Sequence, residues 1–274
     1  MSDVRPAAVA GSWYPGSKAA LAEAVDAHLA AVPAPARSRP RAIVAPHAGL
    51  MYSGPVAAYA YKTVAPGSYA AAVLVGPSHF VGFEGVSIWA RGAWETPLGL
   101  VPVADELAAA IAAASDEIIE HPSAHGREHS IEMQLPFLAR RLPGVPIVPL
   151  VMGHQARTTA WALGDALARV LGGRADARVL LVASSDLSHY EDAAVAARLD
   201  AVVLQRVEAL DAAGLMDALE REPRHACGGG PMVSVLRAAA QLGGADAHVL
   251  RYADSGDVTG DKAAVVGYMA AAIW

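Results

Sequence analysis

Three of the ten histidines in this 274-residue chain, His47, His79 and His189, stand just past short, almost wholly apolar runs. The runs are Ala42-Ile43-Val44-Ala45, Ala72-Val73-Leu74-Val75 and Val179-Leu180-Leu181-Val182-Ala183. The chain leaving them reads Pro46-His47-Ala48-Gly49, Gly76-Pro77-Ser78-His79 and Ser184-Ser185-Asp186-Leu187-Ser188-His189. Neutral imidazole ligates zinc, iron and copper, so His47 and His79 are expected to hold a metal ion. Cys227, within His225-Ala226-Cys227-Gly228-Gly229-Gly230, precedes a predicted helix N-terminus, which favours thiolate. The triple glycine lets the backbone come close to something. A thiolate there would complete a set of two histidines and one cysteine with an open fourth position, the arrangement of a catalytic site. The plainer reading of Cys227 is a small buried hydrophobe. Asp186 and His189 share one loop, and a carboxylate that orients an imidazole makes an acid–base pair. The competing reading has Asp186 or Ser188 capping a helix that starts near Tyr190.

His121, His125 and His129 have helical spacing, but Pro122 and Gly126 interrupt it, so no metal stripe is expected. His129, beside Glu128, is expected to line the pocket together with Trp13 and Tyr52. His154 follows a strand placed near a sheet edge, and His28 and His248 read as structural. Neither glycine-rich phosphate-binding fingerprint occurs.

Short β-branched runs read as strands buried on both faces, as in a parallel sheet between helical layers. In such sheets the ligand crevice lies outside the carboxyl ends of the strands, which is where the three histidines emerge. Ser17 predicts an N-cap for a helix to about Val32, with Leu21, Val25 and Leu29 on one face. Pro55 predicts the first turn of a helix over 53–64, and further helices are expected over 105–114, from 130 with a kink at Pro136, and over 158–171. The stretch 191–222 reads as helical with a break at Gly214, and another helix follows Pro231 to Leu242. Val86 to Trp89 reads as a strand. Pro146 to Met152 reads as a strand near an edge because of its prolines, and two more strands close the chain near 249–252 and 264–268. Strand and helix alternate without a repeat or a compositional break. The expectation is one α/β domain over 1–274, an α/β/α sandwich around a mostly parallel sheet.

Composition narrows the function. Net charge is −6 and no basic stripe occurs, which argues against nucleic acid as the main partner. No apolar run approaches the ~18 residues of a membrane span, and the N-terminus lacks a basic segment followed by an apolar one. One cysteine excludes an internal disulfide and suits a reducing cytoplasm. A soluble cytoplasmic protein is expected.

Seven segments, in order along the chain, resemble the Memo (mediator of cell motility) family. They are Ala10-Gly11-Ser12-Trp13-Tyr14-Pro15, Pro46-His47-Ala48-Gly49, Gly76-Pro77-Ser78-His79 and Glu128-His129-Ser130-Ile131-Glu132-Met133-Gln134-Leu135-Pro136. Ser184 to Tyr190, Cys227-Gly228-Gly229-Gly230-Pro231 and Ser255-Gly256-Asp257-Val258-Thr259-Gly260 complete the set. The resemblance implies a fold shared with class III extradiol ring-cleaving dioxygenases, which hold non-haem iron(II). It implies His47 and His79 as metal ligands and His189 as acid–base. Those dioxygenases use a glutamate as third ligand, whereas the Memo-like pattern places Cys227 there. Thiolate for carboxylate shifts preference toward copper(I) or zinc and alters the redox behaviour of iron. The family is further associated with copper- or iron-dependent redox activity and, in eukaryotes, with peptide binding over the same cleft. Genome context links prokaryotic members with a radical-SAM protein and a third partner, which implies a shared pathway.

Three functions are compatible with these residues. The first is a dioxygenase-like redox enzyme holding one transition-metal ion, iron(II) or copper before zinc, through His47, His79 and Cys227, with His189 and Asp186 moving a proton. The second is a non-catalytic module binding a peptide or small molecule in the same cleft. The third is a metal-assisted hydrolase, in which zinc lowers the pKa of its water to roughly 7.

Overall fold

The computed structural model describes residues 4–173 and 178–274. Its strands are β1 Val4–Arg5, β2 Ala42–Ala45, β3 Ala71–Pro77, β4 Val86–Ile88, β5 Ala93–Thr96, β6 Gly99–Pro102, β7 Ile118–Ile119, β8 Ile147–Met152, β9 Val179–Ser184, β10 His189–Glu191, β11 Ala247–Asp254 and β12 Val265–Ile273. Its helices are α1 Lys18–Ala31, α2 Leu50–Thr63, α3 Asp105–Ala112, α4 Ser123–Gly126, α5 Leu135–Arg141, α6 Arg157–Gly172, α7 Ala193–Glu208, α8 Ala212–Arg221, α9 Gly229–Gln241 and α10 Gly256–Thr259.

β2, β9, β3 and β8 lie side by side and parallel, at the centre of a sheet of nine strands among the described residues. Antiparallel strands flank this core: β12 pairs with β2 and with β11, and β4 pairs with β8, while β7 adds to β4 in parallel. Every residue of β2, β3 and β8 is buried, which requires cover on both faces. The helices supply it in two groups, α1 with α2 and α5, and α6 with α9, α8 and α7. β2 touches α2 of the first group and α9 of the second, so the groups occupy opposite faces and the layering is α/β/α. A smaller sheet of β1, β5 and β6, which the apolar periodicity does not announce, carries the N-terminal segment. Among the described residues, no helix is long and apolar enough to cross a membrane.

Local chemistry accounts for the boundaries. The Ser17 side chain caps α1 by accepting from Ala20 N at 3.3 Å, as its hydroxyl predicts. Four expectations need correction. α2 begins at Leu50 with Pro55 inside it, because the helix starts directly behind the His47 turn. Pro136 opens α5 instead of kinking it, after a 3₁₀ turn over Glu132–Gln134; a missing N–H costs nothing in a first turn. β8 lies inside the sheet and not at an edge. Its Pro149 is tolerated because the short β4 ends beside it, Ile88 pairing with Leu150. The stretch 191–222 breaks at Leu210, which has φ 52°, and not at Gly214. Gly214 lies in the first turn of α8, where the Asp211 side chain caps it at 2.8 Å.

Because β2, β9 and β3 are neighbours running in one direction, their carboxyl ends share one edge. His47, His79 and the 184–189 segment leave the sheet there, in the crevice such topologies use for ligands.

Candidate metal centre

Hydrogen-bond directions settle which nitrogen each histidine offers. Gln134 Nε2 donates to Pro46 O at 3.1 Å and to Ser184 Oγ at 2.7 Å. The single hydroxyl hydrogen of Ser184 goes to Ser130 O at 2.6 Å. His47 Nδ1, 2.9 Å from Ser184 Oγ, must therefore carry its own hydrogen and donate. That leaves Nε2 bare, 3.2 Å from Cys227 Sγ. His79 Nδ1 lies 2.9 Å from Glu128 Oε1. Burial pushes the Glu128 carboxyl up, but His79 and the main-chain N–H groups of His79 and Ser130 outweigh it and hold it down at about 2. An ionised acceptor makes His79 Nδ1 the donor and leaves its Nε2 bare as well. His189 Nδ1 donates to Leu187 O at 2.8 Å, with the same consequence.

The donor atoms of His47, His79 and Cys227 all lie within 4.8 Å of one another. Metal bonds of about 2.0–2.3 Å place tetrahedral ligand atoms roughly 3.5 Å apart, so this set fits one transition-metal ion with small adjustments. Burial, and next the neighbouring His79, lower the His47 pKa to about 3, which keeps the ring neutral as a ligand must be. Cys227 departs from the helix-terminus argument. Burial and the Asp186 carboxylate push its thiol up, so a thiolate there depends on a cation beside it. The Cys227 loop is held by Gln155, which accepts from Gly230 N at 2.7 Å and donates to Cys227 O at 2.6 Å. What the glycines approach is the protein itself: a Cβ on Gly228 would lie 2.5 Å from Ser184 O.

Two further groupings reach comparable distances, His79 with Glu128 and His129, and Asp186 with His189 and Cys227. Glu128 is already committed. Its oxygens take His79 Nδ1 and the main-chain nitrogens of His79, His129 and Ser130. Asp186 Oδ1 accepts from His47 N at 2.7 Å and Ala48 N at 3.3 Å. Asp186 thus locks the His47 turn, and the group on His189 Nδ1 is the Leu187 carbonyl, not this carboxylate. Burial raises the Asp186 pKa. Neither Asp186 nor Ser188 caps a helix, because Asp192 caps α7 and Tyr190 lies in β10.

These residues open into a cavity of about 620 Å³ whose wall includes His47, His79, His129, Asp186, His189, Trp13 and Tyr52. Trp13 and His79 pack on the His129 ring at 4.2 and 4.5 Å between centroids. His125, by contrast, is buried away from the wall with Nε2 2.9 Å from Ser87 Oγ, and His154 is not on the wall. His28 packs against Gly54, and the exposed His248 lies with its ring 5.9 Å from that of Trp274.

The Memo-like protein family matches residues 5–272. The chain belongs to the Memo-like family. It is 39% identical to a MEMO1 family protein of Methanothermobacter thermautotrophicus over 97% of this chain and 98% of that relative. It is 36% identical to a MEMO1 family protein of Thermotoga maritima over 98% of this chain and 99% of the relative. An uncharacterized protein from Escherichia coli K12 shares the fold with TM-score 0.53 at 17% identity, over 83% of this chain and 98% of that one.

Three residues of the quoted segments take roles that the sequence does not assign them: Glu128 is the acceptor for His79, and Ser184 and Gln134 stand behind His47. Only Gln134 carries a signal in the sequence, as a polar residue between Met133 and Leu135. Buried polar groups are kept only where partners exist.

Proposed function

We propose that this Memo-like protein is a metal-dependent redox enzyme acting on a small aromatic molecule, with one iron or copper ion held by His47 Nε2, His79 Nε2 and Cys227 Sγ. The observation that carries the reading is the convergence of those three donors, two of them tautomerically locked with the ligating nitrogen bare. When bound, the ion would supply redox capacity and polarise a substrate oxygen. The protein's own groups do the rest. His189 Nε2, left unprotonated by the Leu187 bond, is placed to accept a proton from a hydroxyl presented in the cavity and to return it. Asp186 holds the main chain of His47 and Ala48, so the ring keeps its position. Trp13 and His129 supply ring faces against which a planar ligand can lie. The proposed kinship with class III extradiol dioxygenases rests on the parallel strands that carry the two histidines, with Cys227 in place of their carboxylate.

The test is metal content by plasma mass spectrometry on protein purified without a chelating tag. Cys227→Ser and His79→Ala should each lower the stoichiometry, and unchanged stoichiometry in both removes the centre. His189→Ala should keep the metal and lose oxygen uptake on catechols. Zinc with esterase turnover would move the reading to a hydrolase, and metal-free protein with its fold intact to a binding module.

A further inference from the structure

The cavity wall carries no side chain with a permanent positive charge among the described residues. Its ionisable side chains are histidines, tyrosines and the buried Asp186, with no lysine or arginine among the described residues lining it. Three cations close to wall residues, Lys262 and Arg127 along the chain and Arg224 through Glu191, are otherwise engaged. Lys262 Nζ binds Asp254 at 2.7 Å and Asp257 at 2.6 Å. Arg224 binds Glu191 and Glu222 at 2.6 and 2.7 Å. Arg127 lies over the Phe80 ring, 4.9 Å from its centroid. Each of these three basic groups therefore has a carboxylate or an aromatic face already.

What the wall offers instead is aromatic surface. Trp13, Tyr52, Tyr190 and Tyr268 line it, and Trp13, Met51 and Tyr190 are 38%, 62% and 77% exposed. Tyr190 reaches its place through a left-handed backbone, φ 60°, in a strand whose pairing with β12 is irregular. A bulky residue held in that region marks a site where the surroundings impose the position. Exposed apolar side chains gathered around a cavity mouth mark a binding surface, and a cavity of this size suits a ligand larger than a single ring.

We propose that the ligand of this cavity is an aromatic molecule carrying no anionic group, held among Trp13, Tyr52 and Tyr190 by stacking and neutral hydrogen bonds. The inference deepens the proposed function and rests on it for the end of the ligand that meets His47, His79 and His189. A carboxylate or phosphate on the remainder would lose its hydration without gaining a cation and would face Asp186. A neutral or cationic remainder has no such cost, and a cation gains from the ring faces.

The experiment is anaerobic calorimetry of the full chain, as purified and after metal loading, with three probes sharing one diol ring. These are 4-ethylcatechol, dopamine and 3,4-dihydroxyphenylacetate. The expected result is at least tenfold weaker binding of the acid than of the other two at low salt, with the gap narrowing as salt screens it. Tyr190→Ala should weaken all three alike, and Met51→Arg, which adds a cation at the mouth, should recover the acid tenfold or more. Equal or tighter binding of the acid by the unaltered protein overturns this inference and leaves the metal reading standing. An acid penalty that Met51→Arg does not reduce also overturns it. Binding of none of the three to metal-loaded protein overturns the proposed function instead.

Discussion

The Ser184 hydroxyl decides how His47 can act. It accepts from Gln134 and from His47 and donates to Ser130 O, so one small side chain sets the tautomer of a proposed metal ligand. Groups in that position fix the tautomer and orientation of a metal-bound imidazole and raise its basicity. Ser184→Ala should weaken metal binding by about 10–100-fold while the fold persists, read by competition with a chromogenic chelator. Unchanged affinity would show that His47 keeps its tautomer without the serine. Glu128 does the same for His79 through a carboxylate, which makes the two proposed ligand histidines chemically unlike: one is backed by a neutral chain of hydroxyl and amide, the other by a full charge.

At the scale of elements, the centre depends on segments pressed together from distant parts of the chain. The Cys227 loop passes so close to the end of β9 that only glycine fits at position 228. Gly228→Ala should cost about 1–3 kcal/mol of stability through overpacking and lower metal stoichiometry, whereas Gly126→Ala, with open space around it, should do neither. Urea unfolding and metal analysis on the two variants check this. A second junction ties β1 to the 3₁₀ turn. Buried Arg5 pairs with buried Glu132, whose other oxygen takes Tyr14 OH at 2.6 Å and the main chain of Val9 at 3.0 Å. Glu132→Ala leaves the arginine buried and uncompensated, and should cost about 3–5 kcal/mol. A loss much below that in urea unfolding would show that water reaches Arg5.

For the whole molecule, buried titratable groups predict lability in acid. Burial, with Arg5 nearby, lowers the His125 pKa to about 3, against 6.5 for an unperturbed histidine. Between those values the unfolded chain holds a proton the folded one refuses, so stability rises with pH there. It is complete above pH 6.5 and falls by about 1.4 kcal/mol per pH unit below it for this one group. Glu128, held at about 2, adds a loss of the same sign between roughly pH 4.5 and 2. Urea unfolding of chelator-treated protein at pH 7, 6 and 5 should show a falling stability, and a flat profile would mean that His125 is hydrated in the folded state.

Much of this is legible in the sequence alone. Apolar runs too short for helices had to be buried strands, and a residue two past such a strand had to emerge at the crevice, so His47 and His79 could be named as site residues and α/β layering expected. The same local logic located Ser17 as a cap. Where it went wrong, at Pro149, Pro136 and Gly214, the deciding neighbour lay elsewhere in the chain or in the helix register: a short β4, a first turn, a capping Asp211. The partners of the histidines were hidden for a related reason. Composition and periodicity report what a residue prefers on average over its own segment. Which oxygen faces which ring nitrogen depends on β2, β9 and β3 being packed in that order, with the 128–134 segment laid against them. Residue types alone therefore determined that imidazoles and a sulfur were available at strand and helix ends. Only close packing of segments remote in sequence decided that the imidazoles share one cavity, that Cys227 Sγ comes within 4.8 Å of two of them, and that Glu128 and Ser184 hold the rings.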